Sequence, residues 1–558
     1  MALLYRIFLI CKGKNAQKRS ENESMTFRTV FIFCSFVSCI IISIIKESSM
    51  KKIKVVYTSD THGRLTSYDF ILKTYGPFGL SRLSSYLNMI DEPYLLLDNG
   101  DYLQGSPMLD YARKNKLENP VASMFNHLKY PYITVGNHDF NFGLDHLLSF
   151  KDAFNGEILC ANIKLQNQYL FKPYVIHDID DIKLAIIGLT TEYIPFWERK
   201  ENIKGLTFLD VAKETKDFIK THQLKEKADV IILLYHGGFE RDLKTHAWFK
   251  NPTVENKGYQ LFQIPEVDIL LTGHQHVPQI HQDGLKVAIQ TKHNAQDIGV
   301  IDLSFEKEHG AYTLKYVKPN LISLKDYEVD LKTETVIKDL IDQTNNYLSQ
   351  KIGMITSDLT IKDPLSARSK KHPLFQLINE IQLSLTGGDI SLASLPNDTH
   401  GLPHEVSLND IAVSFPFEND IVLLEVTGDI LIQALEQNAS YFDLKDGKLI
   451  INKAFLIPKV EHYNYDVYDG IEYTMDIKNP IGKRISNVTF KDQPIQMNQT
   501  FKLALNSYRA TGAGGFDMFQ KGKIIQSFTV SYFDLISHYI EKHPNLKINL
   551  VENFKIMI

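Results

Sequence analysis

The stretch IKVVYTSDTHG, residues 53–63, sets the pattern from which the fold of this chain is predicted. A mostly β-branched apolar run leads directly into Asp60, His62 and Gly63. Such a run, with little polar alternation, is typical of a strand buried on both faces of a sheet. Asp60 and His62 can face one point if the backbone turns there, and Gly63 permits the turn. Alone, the pattern fits a capped turn as well as a metal site.

Four later segments repeat this form, in which an apolar run ends in Asp, Asn or His next to glycine. They read YLLLDNGD at 94–101, PYITVGNHDF at 131–140, DVIILLYHGG at 229–238 and VDILLTGHQH at 267–276. A further strand is predicted at 183–188 (KLAIIG). Open α/β sheets bind ligands beyond the carboxyl ends of their strands, so the five strand ends are expected to converge on one region.

The chemistry of these residue types predicts a site for two metal ions. Asp101 follows its strand directly, where a carboxylate can bridge two cations, and Asn137 offers a neutral carbonyl ligand. The set has oxygen and nitrogen donors without thiolate, which suits Mn²⁺, Zn²⁺, Fe²⁺, Co²⁺ or Mg²⁺. Two such ions about 3.5–4 Å apart bind phosphoryl oxygens and generate a bridging hydroxide at neutral pH. The sequence therefore predicts a two-metal phosphoesterase.

Length and composition predict several domains of a soluble type. The chain has 558 residues, 44% of them apolar and 23% charged, which is too long for one core. Strands alternating with helical stretches predict an α/β catalytic domain over 51–325. Apolar residues at helical spacing predict a linker helix over 326–352, and mixed helices and strands predict a separate α+β domain over 353–558. The formal net charge of −5 gives no reason to expect a nucleic-acid polymer as partner.

The first 49 residues form an extension with an apolar segment at 29–45 that follows several basic residues. Its length is at the lower limit for a single membrane span. One interpretation is an uncleaved N-terminal anchor or a poor signal peptide, which would make the protein membrane-anchored or exported. The other is that the natural protein starts at Met50 and is cytoplasmic. After residue 40 the sequence has one cysteine, Cys160, which excludes a disulfide framework in the remainder.

The order of the motifs D-x-H, G-D, G-N-H-D and G-H-x-H over residues 53–277 resembles the calcineurin-like metallophosphoesterase superfamily. The segment NSYRATG at 506–512 resembles the nucleotidase C-terminal domain. The whole arrangement is similar to the bacterial 5′-nucleotidase and 2′,3′-cyclic-nucleotide 2′-phosphodiesterase (3′-nucleotidase) family. This resemblance implies an N-terminal metallophosphatase β-sandwich flanked by helices and a C-terminal α+β domain of the 5′-nucleotidase type.

The resemblance also implies a division of roles among the strand-end residues. One metal ion would be held by Asp60, His62, Asp101 and His276, and the second by Asp101, Asn137, His236 and His274, with Asp101 shared. His138 would stabilise the transition state or protonate the leaving oxygen. The alternative for His138 is a hydrogen-bonded structural histidine.

Several segments look closer to the cyclic-nucleotide phosphodiesterase branch than to the 5′-nucleotidases, among them GNHDFNFGLD and YNYDVYDGIEY. The 5′-nucleotidases pair the catalytic histidine with an Asp three residues later, where this chain has Asn141. They also carry an arginine-bearing loop, where this chain has SLPND at 394–398. Both departures argue against a preference for 5′-monophosphates.

In the second domain, Tyr508 and Tyr465 are predicted to stack on a nucleobase from either side. Arg509 either faces a phosphate or ribose or pairs with a surface carboxylate. The expected function is hydrolysis of nucleotide phosphate esters, with 2′,3′-cyclic nucleotides and 3′-nucleotides preferred, by attack of a metal-bridging hydroxide. The alternatives are a phosphoesterase for UDP-sugars or other esters, and a catalytically silent nucleotide-binding surface protein.

Overall fold

A computed structural model of the chain describes residues 50–249, 254–308, 310–397, 399–415, 420–456 and 460–558. The predicted extension 1–49, with its apolar segment 29–45, lies outside these residues. Its role as an anchor and the compartment of the protein therefore stay predictions. Within the described ranges, no helix combines the length and the apolar character needed to cross a bilayer.

The first domain is built on two six-stranded mixed sheets. The first sheet has the order Ala311–Ser323, Asp297–Glu308, Lys51–Thr58, Tyr94–Asp98, Tyr132–Ile133 and Glu157–Ile158. The second has the order Gln279–Asp283, Lys286–Gln290, Ile269–Thr272, Val230–His236, Ile182–Thr190 and Tyr174–Ile179. The central strands of both sheets are parallel, so their carboxyl ends share one edge of the domain.

The two sheets enclose a common apolar layer, which confirms the predicted sandwich. Buried side chains from both inner faces form it, including Val55, Leu97, Ile186, Ile232 and Leu271. Two further apolar clusters lie under the helices on the outer faces. Because the central strands are covered on both faces, they read as continuous apolar runs in the sequence.

Helices and short strands complete the first domain. The helices are Leu80–Leu87, Pro107–Lys114, Pro120–Leu128, Leu144–Ala153, Ile194–Trp197, Val211–Thr221, Leu224–Lys227 and Gly258–Phe262, with 3₁₀ turns at His138–Phe140 and Leu324–Asp326. Small sheets pair Leu206–Phe208, Ile163–Leu165 and Gln168–Tyr169, and Tyr68–Asp69 with Thr74–Tyr75.

The second domain has its own sheets, helices and core. Its five-stranded sheet has the order Asp466–Asp469, Ile390–Ser394, Thr500–Asn506, Ile421–Thr427 and Lys523–Phe528. Smaller sheets comprise Gln493–Pro494, Ile485–Phe490, Glu472–Asp476 and Phe554–Met557; Glu405–Ser407, Lys351–Ile355 and Asn545–Leu546; Leu359–Thr360 and Gly401–Leu402; and Phe442–Lys445 and Lys448–Ile451. The helices are Pro364–Ser369, Pro373–Thr386, Leu408–Ser414, Gly428–Ala439, Ser507–Ala510 and Tyr532–Lys542, with 3₁₀ turns at Lys453–Phe455, His462–Asn464 and Asp517–Lys521.

The segment between the domains differs from the single linker helix predicted over 326–352. It forms two helices, Leu331–Glu334 and Lys338–Leu348. Its last residues begin the strand Lys351–Ile355, which belongs to a sheet of the second domain. The helical spacing of apolar residues continues across the break near Ile337, because Ile337 and Ile341 pack into the same core of the first domain.

Ion pairs join the two domains beside the carboxyl-end edge of the sandwich. Arg199 Nε lies 2.5 Å from Asp420 Oδ2, and Arg199 Nη2 donates to Asp420 Oδ1 at 2.9 Å. Lys114 Nζ lies 2.7 Å from Asp534 Oδ1. These contacts hold the second domain over the edge at which the parallel strands end.

Candidate metal centre

The first predicted ligand group meets at the edge of the sandwich where the parallel strands end. Asp60, His62 and His276 each offer a ligand atom, and these atoms lie within 4.8 Å of one another. His276 Nε2 is 3.3 Å from Asp60 Oδ1, and it is 3.2 Å from His62 Nε2. Two ring nitrogens and a carboxylate oxygen therefore converge on one point, as ligands of a single cation do.

The second group, Asp101, His236 and His274, is equally tight, with ligand atoms within 4.8 Å of one another. His236 Nε2 is 3.2 Å from Asp101 Oδ2. The Oδ1 atom of Asn137 completes the group, 3.3 Å from His236 Nε2 and 2.9 Å from His274 Nδ1. The structure thus brings the seven predicted metal ligands together in two groups, while the sharing of Asp101 between two ions stays a prediction.

At the site the backbone adopts the left-handed conformation, which residues other than glycine rarely take. Five of the predicted ligands have φ in the left-handed region: Asp60 (52°), His62 (46°), Asp101 (60°), His274 (70°) and His276 (59°). Each such non-glycine residue costs on the order of 1–3 kcal/mol and persists where the surroundings enforce it. The concentration of these residues at one place marks a functional site.

Two glycines bring the backbone against the ligands. A Cβ atom at Gly136 would lie 2.1 Å from Asp101 Oδ1, and one at Gly273 would lie 2.5 Å from Asp60 Oδ2. The glycines beside the ligand residues in the sequence are therefore needed for close approach. The carboxylates of Asp101 and Asp60 lie in the space that a Cβ atom would need.

In His236 and His274 the ring nitrogen that faces away from the site has a fixed partner, which orients the imidazole. His236 Nδ1 lies 2.7 Å from the carbonyl oxygen of Asn99, so Nε2 faces the site. His274 Nε2 lies 3.2 Å from Glu255 Oε1, so Nδ1 faces the site. Such histidine pairings with a carbonyl or a carboxylate are typical of metal ligands.

Negative charge is concentrated where the groups meet. Burial would lower the pKa of His236, but the carboxylates of Asp101 and Asp60 raise it to about 10. Burial would raise the pKa of Asp60, but the hydrogen bond from His276 and the charge of His236 hold it below its usual range. The site favours positive charge, and its donor set fits divalent cations.

His138 lies next to these groups and has a partner of its own. Its backbone N–H donates to Asp101 Oδ1 at 2.7 Å. Its Nδ1 atom lies 2.8 Å from Asn141 Oδ1, which places the predicted His138–Asn141 pair in contact. The Nδ2 atom of Asn141 donates in turn to Glu198 Oε2 at 2.7 Å.

A cavity of about 880 Å³ opens between the two domains beside the metal groups. The first domain contributes Asn137, His138, Trp197 and His274 to its lining, and the second contributes Tyr508. The Tyr508 side chain is 39% exposed. A ligand in this cavity would contact both domains at once.

The structure does not support the other two predicted substrate residues. Tyr465 is completely buried in the core of the second domain and packs against Tyr441 and Phe442, so it cannot stack on a base. Arg509 is also completely buried, with its Nε atom 2.9 Å from Asp466 Oδ2, so it pairs with an interior carboxylate and faces neither phosphate nor ribose. The predicted substrate roles of Tyr465 and Arg509 are therefore wrong.

Four functional residues were missed in the sequence. Asp139 is buried and accepts hydrogen bonds from the backbone N–H groups of Gly136, Asp101, Tyr102 and Leu103, which fixes two ligand loops relative to each other. Its position inside the G-N-H-D motif was the available signal. Glu255, Trp197 and Glu198 act through contacts with residues far away in the chain, which no local pattern reveals.

A two-sheet sandwich with paired O/N ligand groups at its strand ends, facing a second domain across a cleft, is the architecture of a metal-dependent phosphoesterase with two domains. Sequence comparison agrees: the Calcineurin-like phosphoesterase family matches residues 53–278, and the 5′-nucleotidase, C-terminal domain family matches residues 351–521. The chain belongs to the calcineurin-like phosphoesterases that carry a 5′-nucleotidase C-terminal domain, and it is a hydrolase.

Named relatives lie within the nucleotidases and nucleotide phosphodiesterases. The trifunctional nucleotide phosphoesterase protein YfkN of Bacillus subtilis is 27% identical over 90% of this chain, which spans only 39% of the length of YfkN. The 2′,3′-cyclic-nucleotide 2′-phosphodiesterase/3′-nucleotidase of Salmonella typhimurium is 26% identical over 82% of this chain and 81% of its own length.

A solved structure supports the same architecture. A Staphylococcus aureus protein provisionally named a 5′-nucleotidase, in complex with alpha-ketoglutarate, superposes with a TM-score of 0.81 at 29% identity. The superposition covers 91% of this chain and 100% of that protein. Both domains are therefore shared with that structure.

Proposed function

We propose that the protein hydrolyses phosphate esters of nucleotides, with 2′,3′-cyclic nucleotides and 3′-nucleotides as preferred substrates. The observation that carries the proposal is the cleft itself. One wall presents His138 with Asn137 and His274 of the second ligand group, and the other presents the exposed ring of Tyr508. The first ligand group adjoins that wall, because the His62 ring lies 5.5 Å from the His138 ring. A nucleotide has the matching polarity, with a phosphate at one end and a flat base at the other.

Two divalent metal ions would be held at the site, the first by Asp60, His62, Asp101 and His276 and the second by Asp101, Asn137, His236 and His274. When bound, such ions polarise the phosphoryl oxygens and lower the pKa of water, which supplies a nucleophile at neutral pH. The identity of the ions is open among Mn²⁺, Zn²⁺, Fe²⁺, Co²⁺ and Mg²⁺.

His138 would assist the departure of the sugar oxygen. Its Nδ1 atom is engaged by Asn141, so Nε2 is the ring nitrogen that can hold or give a proton in the cleft. The hydrogen bond from its backbone N–H to Asp101 fixes its distance from the second ligand group. Proton transfer to a leaving oxygen by a positioned imidazole typically contributes about 10²–10⁴-fold in rate.

Two aromatic rings would receive the nucleoside. Tyr508 faces the cleft from the second domain, with Tyr463 edge-on behind it at 6.3 Å between ring centres. Trp197 is 40% exposed and lies 5.3 Å from the His274 ring, close to the phosphate end of the cleft. Stacking on such rings contributes on the order of 1–3 kcal/mol per base.

The preference for cyclic and 3′-phosphates rests on the first domain and on the relatives. Asn141 stands where the 5′-nucleotidase pattern has an aspartate, and three curated relatives at 25–26% identity are named 2′,3′-cyclic-nucleotide 2′-phosphodiesterase/3′-nucleotidase. In the second domain, Leu395 and Pro396 belong to the segment that stands where the 5′-nucleotidases carry an arginine-bearing loop. Their carbonyl oxygens accept hydrogen bonds from the buried Arg368, which holds this segment against the core.

The test is hydrolysis of 2′,3′-cyclic AMP, 3′-AMP, 5′-AMP and UDP-glucose by the Mn²⁺-loaded protein, with and without EDTA. We expect turnover that EDTA abolishes, with the highest kcat/KM on the first two compounds. Absence of metal-dependent turnover on all four would refute the proposed activity. A higher kcat/KM on 5′-AMP or UDP-glucose would refute the substrate preference alone.

A further inference from the structure

Glu198 ends a chain of hydrogen bonds that begins at His138. His138 Nδ1 is 2.8 Å from Asn141 Oδ1, and Asn141 Nδ2 donates to Glu198 Oε2 at 2.7 Å. Glu198 is 57 residues from Asn141 in the chain, and it lies on the loop that follows the strand Ile182–Thr190 and the helix Ile194–Trp197. The contact is therefore made by the fold and not by local sequence.

The chemistry of the three groups allows only one arrangement of hydrogens. An ionised carboxylate can only accept, so the amide nitrogen of Asn141 must face Glu198. The amide oxygen of Asn141 then faces His138, and Nδ1 of His138 must carry the hydrogen. The Nε2 atom then faces the cleft. In the doubly protonated ring it carries the proton that passes to the leaving oxygen, and the neutral ring left behind keeps its Nδ1 hydrogen bond to Asn141.

Glu198 is itself held in place by other donors. Its Oε1 atom accepts from the backbone N–H of Arg199 at 2.8 Å and from Asn202 Nδ2 at 2.7 Å. Asn202 Nδ2 also donates to the backbone carbonyl of Asn141 at 2.8 Å. Both carboxylate oxygens thus accept hydrogen bonds from protein donors, Oε1 within the loop and Oε2 from Asn141, which favours a positioning role over direct contact with an anionic substrate.

We propose that Glu198 is a positioning residue for His138: it fixes the amide of Asn141 so that the imidazole presents Nε2 to the leaving oxygen. The inference deepens the proposed function and rests on it. The proposal predicts a specific result for variants, because a carboxylate at position 141 and an amide at position 198 can form the same chain of hydrogen bonds. If residue 141 is Asp, residue 198 must donate a hydrogen bond to it. If residue 141 is Asn, residue 198 must accept one.

Substitutions of Glu198 and Asn141 test this proposal. Glu198→Ala is expected to lower kcat by about 10- to 100-fold, with KM and metal content unchanged, because a misoriented catalytic group costs about that much. Asn141→Asp alone places two carboxylates in contact and is expected to lower kcat as well. The double variant Asn141→Asp/Glu198→Gln restores a donor behind the carboxylate and is expected to exceed both Asn141→Asp and Glu198→Gln in kcat. Glu201→Gln, an exposed glutamate of the same loop, is the matched control.

Two measurements keep this inference separate from the nucleotide proposal. Rates are taken on 2′,3′-cyclic AMP and on bis(p-nitrophenyl) phosphate, a phosphodiester without a base or ribose. The ¹⁵N spectrum of the histidine rings, with His138 assigned by His138→Ala, reports the hydrogen on Nδ1 in the metal-free protein whatever its substrate. The inference holds if Glu198→Ala loses the Nδ1–H form and the double variant recovers it. It is overturned if Glu198→Ala keeps that form and wild-type kcat, or if the double variant is no better than the single ones.

Discussion

At the scale of single residues, a substitution of His138 is expected to reduce turnover without reducing metal binding. His138→Ala removes the ring but keeps the backbone N–H that donates to Asp101. We expect kcat to fall by about 10²–10⁴-fold, the usual contribution of a positioned acid or base. Metal content, measured by elemental analysis of the purified variant, should match the wild type. Loss of the metals together with activity would instead make His138 a structural residue or a ligand.

Two tyrosines of the second domain give a matched pair for base recognition. Tyr508→Ala removes an exposed ring of the cleft, and KM for nucleotides is expected to rise by about 5- to 100-fold because stacking contributes on the order of 1–3 kcal/mol. Tyr465→Phe keeps the buried ring and removes only its hydroxyl, so KM should not change. Rates on bis(p-nitrophenyl) phosphate, which has no base, should be nearly equal in both variants. A larger KM effect for Tyr465→Phe would reverse the assignment made from burial.

The sequence could not distinguish these two tyrosines, nor identify the partner of Arg509. The segment HYNYDVYDGIEY offers four tyrosines, and which of them is buried depends on packing against residues such as Tyr441 and Phe442. Arg509 lies beside a glycine-rich turn, yet its partner Asp466 is 43 residues away. A motif indicates that such residues belong to a site, while the direction of each side chain is set by contacts that are distant in the chain.

At the scale of strands and loops, the seven predicted metal ligands could be found because they lie at or just beyond the ends of five strands. A parallel sheet brings consecutive carboxyl ends to one edge, so linear spacing translates into proximity. The strand Ile182–Thr190 was also predicted, as 183–188, but without a role for its end. Its loop carries Trp197 and Glu198, which reach the site only after a short helix. That added distance is why no local pattern identified them.

Gly136 provides a test of how the strand ends hold the metals. In Gly136→Ala the new Cβ would lie 2.1 Å from Asp101 Oδ1 and 2.6 Å from His236 Cε1, so two ligands must move. We expect affinity for Mn²⁺, measured by calorimetric titration, to fall by about 10- to 100-fold, as when a ligand's supporting contact is lost. The matched control is Gly284→Ala, whose Cβ would meet nothing within 4 Å. Its left-handed φ of 59° makes it cost about 1–2 kcal/mol of stability without changing metal affinity.

At the scale of the whole molecule, catalysis as proposed requires both domains to contact one substrate, because His138 with the second ligand group and Tyr508 lie on opposite walls of the cleft. The Arg199–Asp420 pair is the contact best placed to hold that geometry. Asp420 is only 12% exposed, and burial raises its pKa although Arg199 opposes the shift. A carboxylate in this position depends on its guanidinium partner, because an unpaired charge with so little access to water is destabilising.

Removing either partner is therefore expected to loosen the docking of the domains. For Arg199→Ala and for Asp420→Asn we expect KM for 2′,3′-cyclic AMP to rise by about tenfold, and the radius of gyration from small-angle X-ray scattering to increase. The double variant should be no worse than either single one, because both remove the same interaction. Lys200→Ala, which deletes the exposed neighbouring charge, is the control and should leave both quantities unchanged. Additive effects in the double variant would mean that Arg199, which also lines the cavity, contacts the substrate directly and that the ion pair does not govern closure.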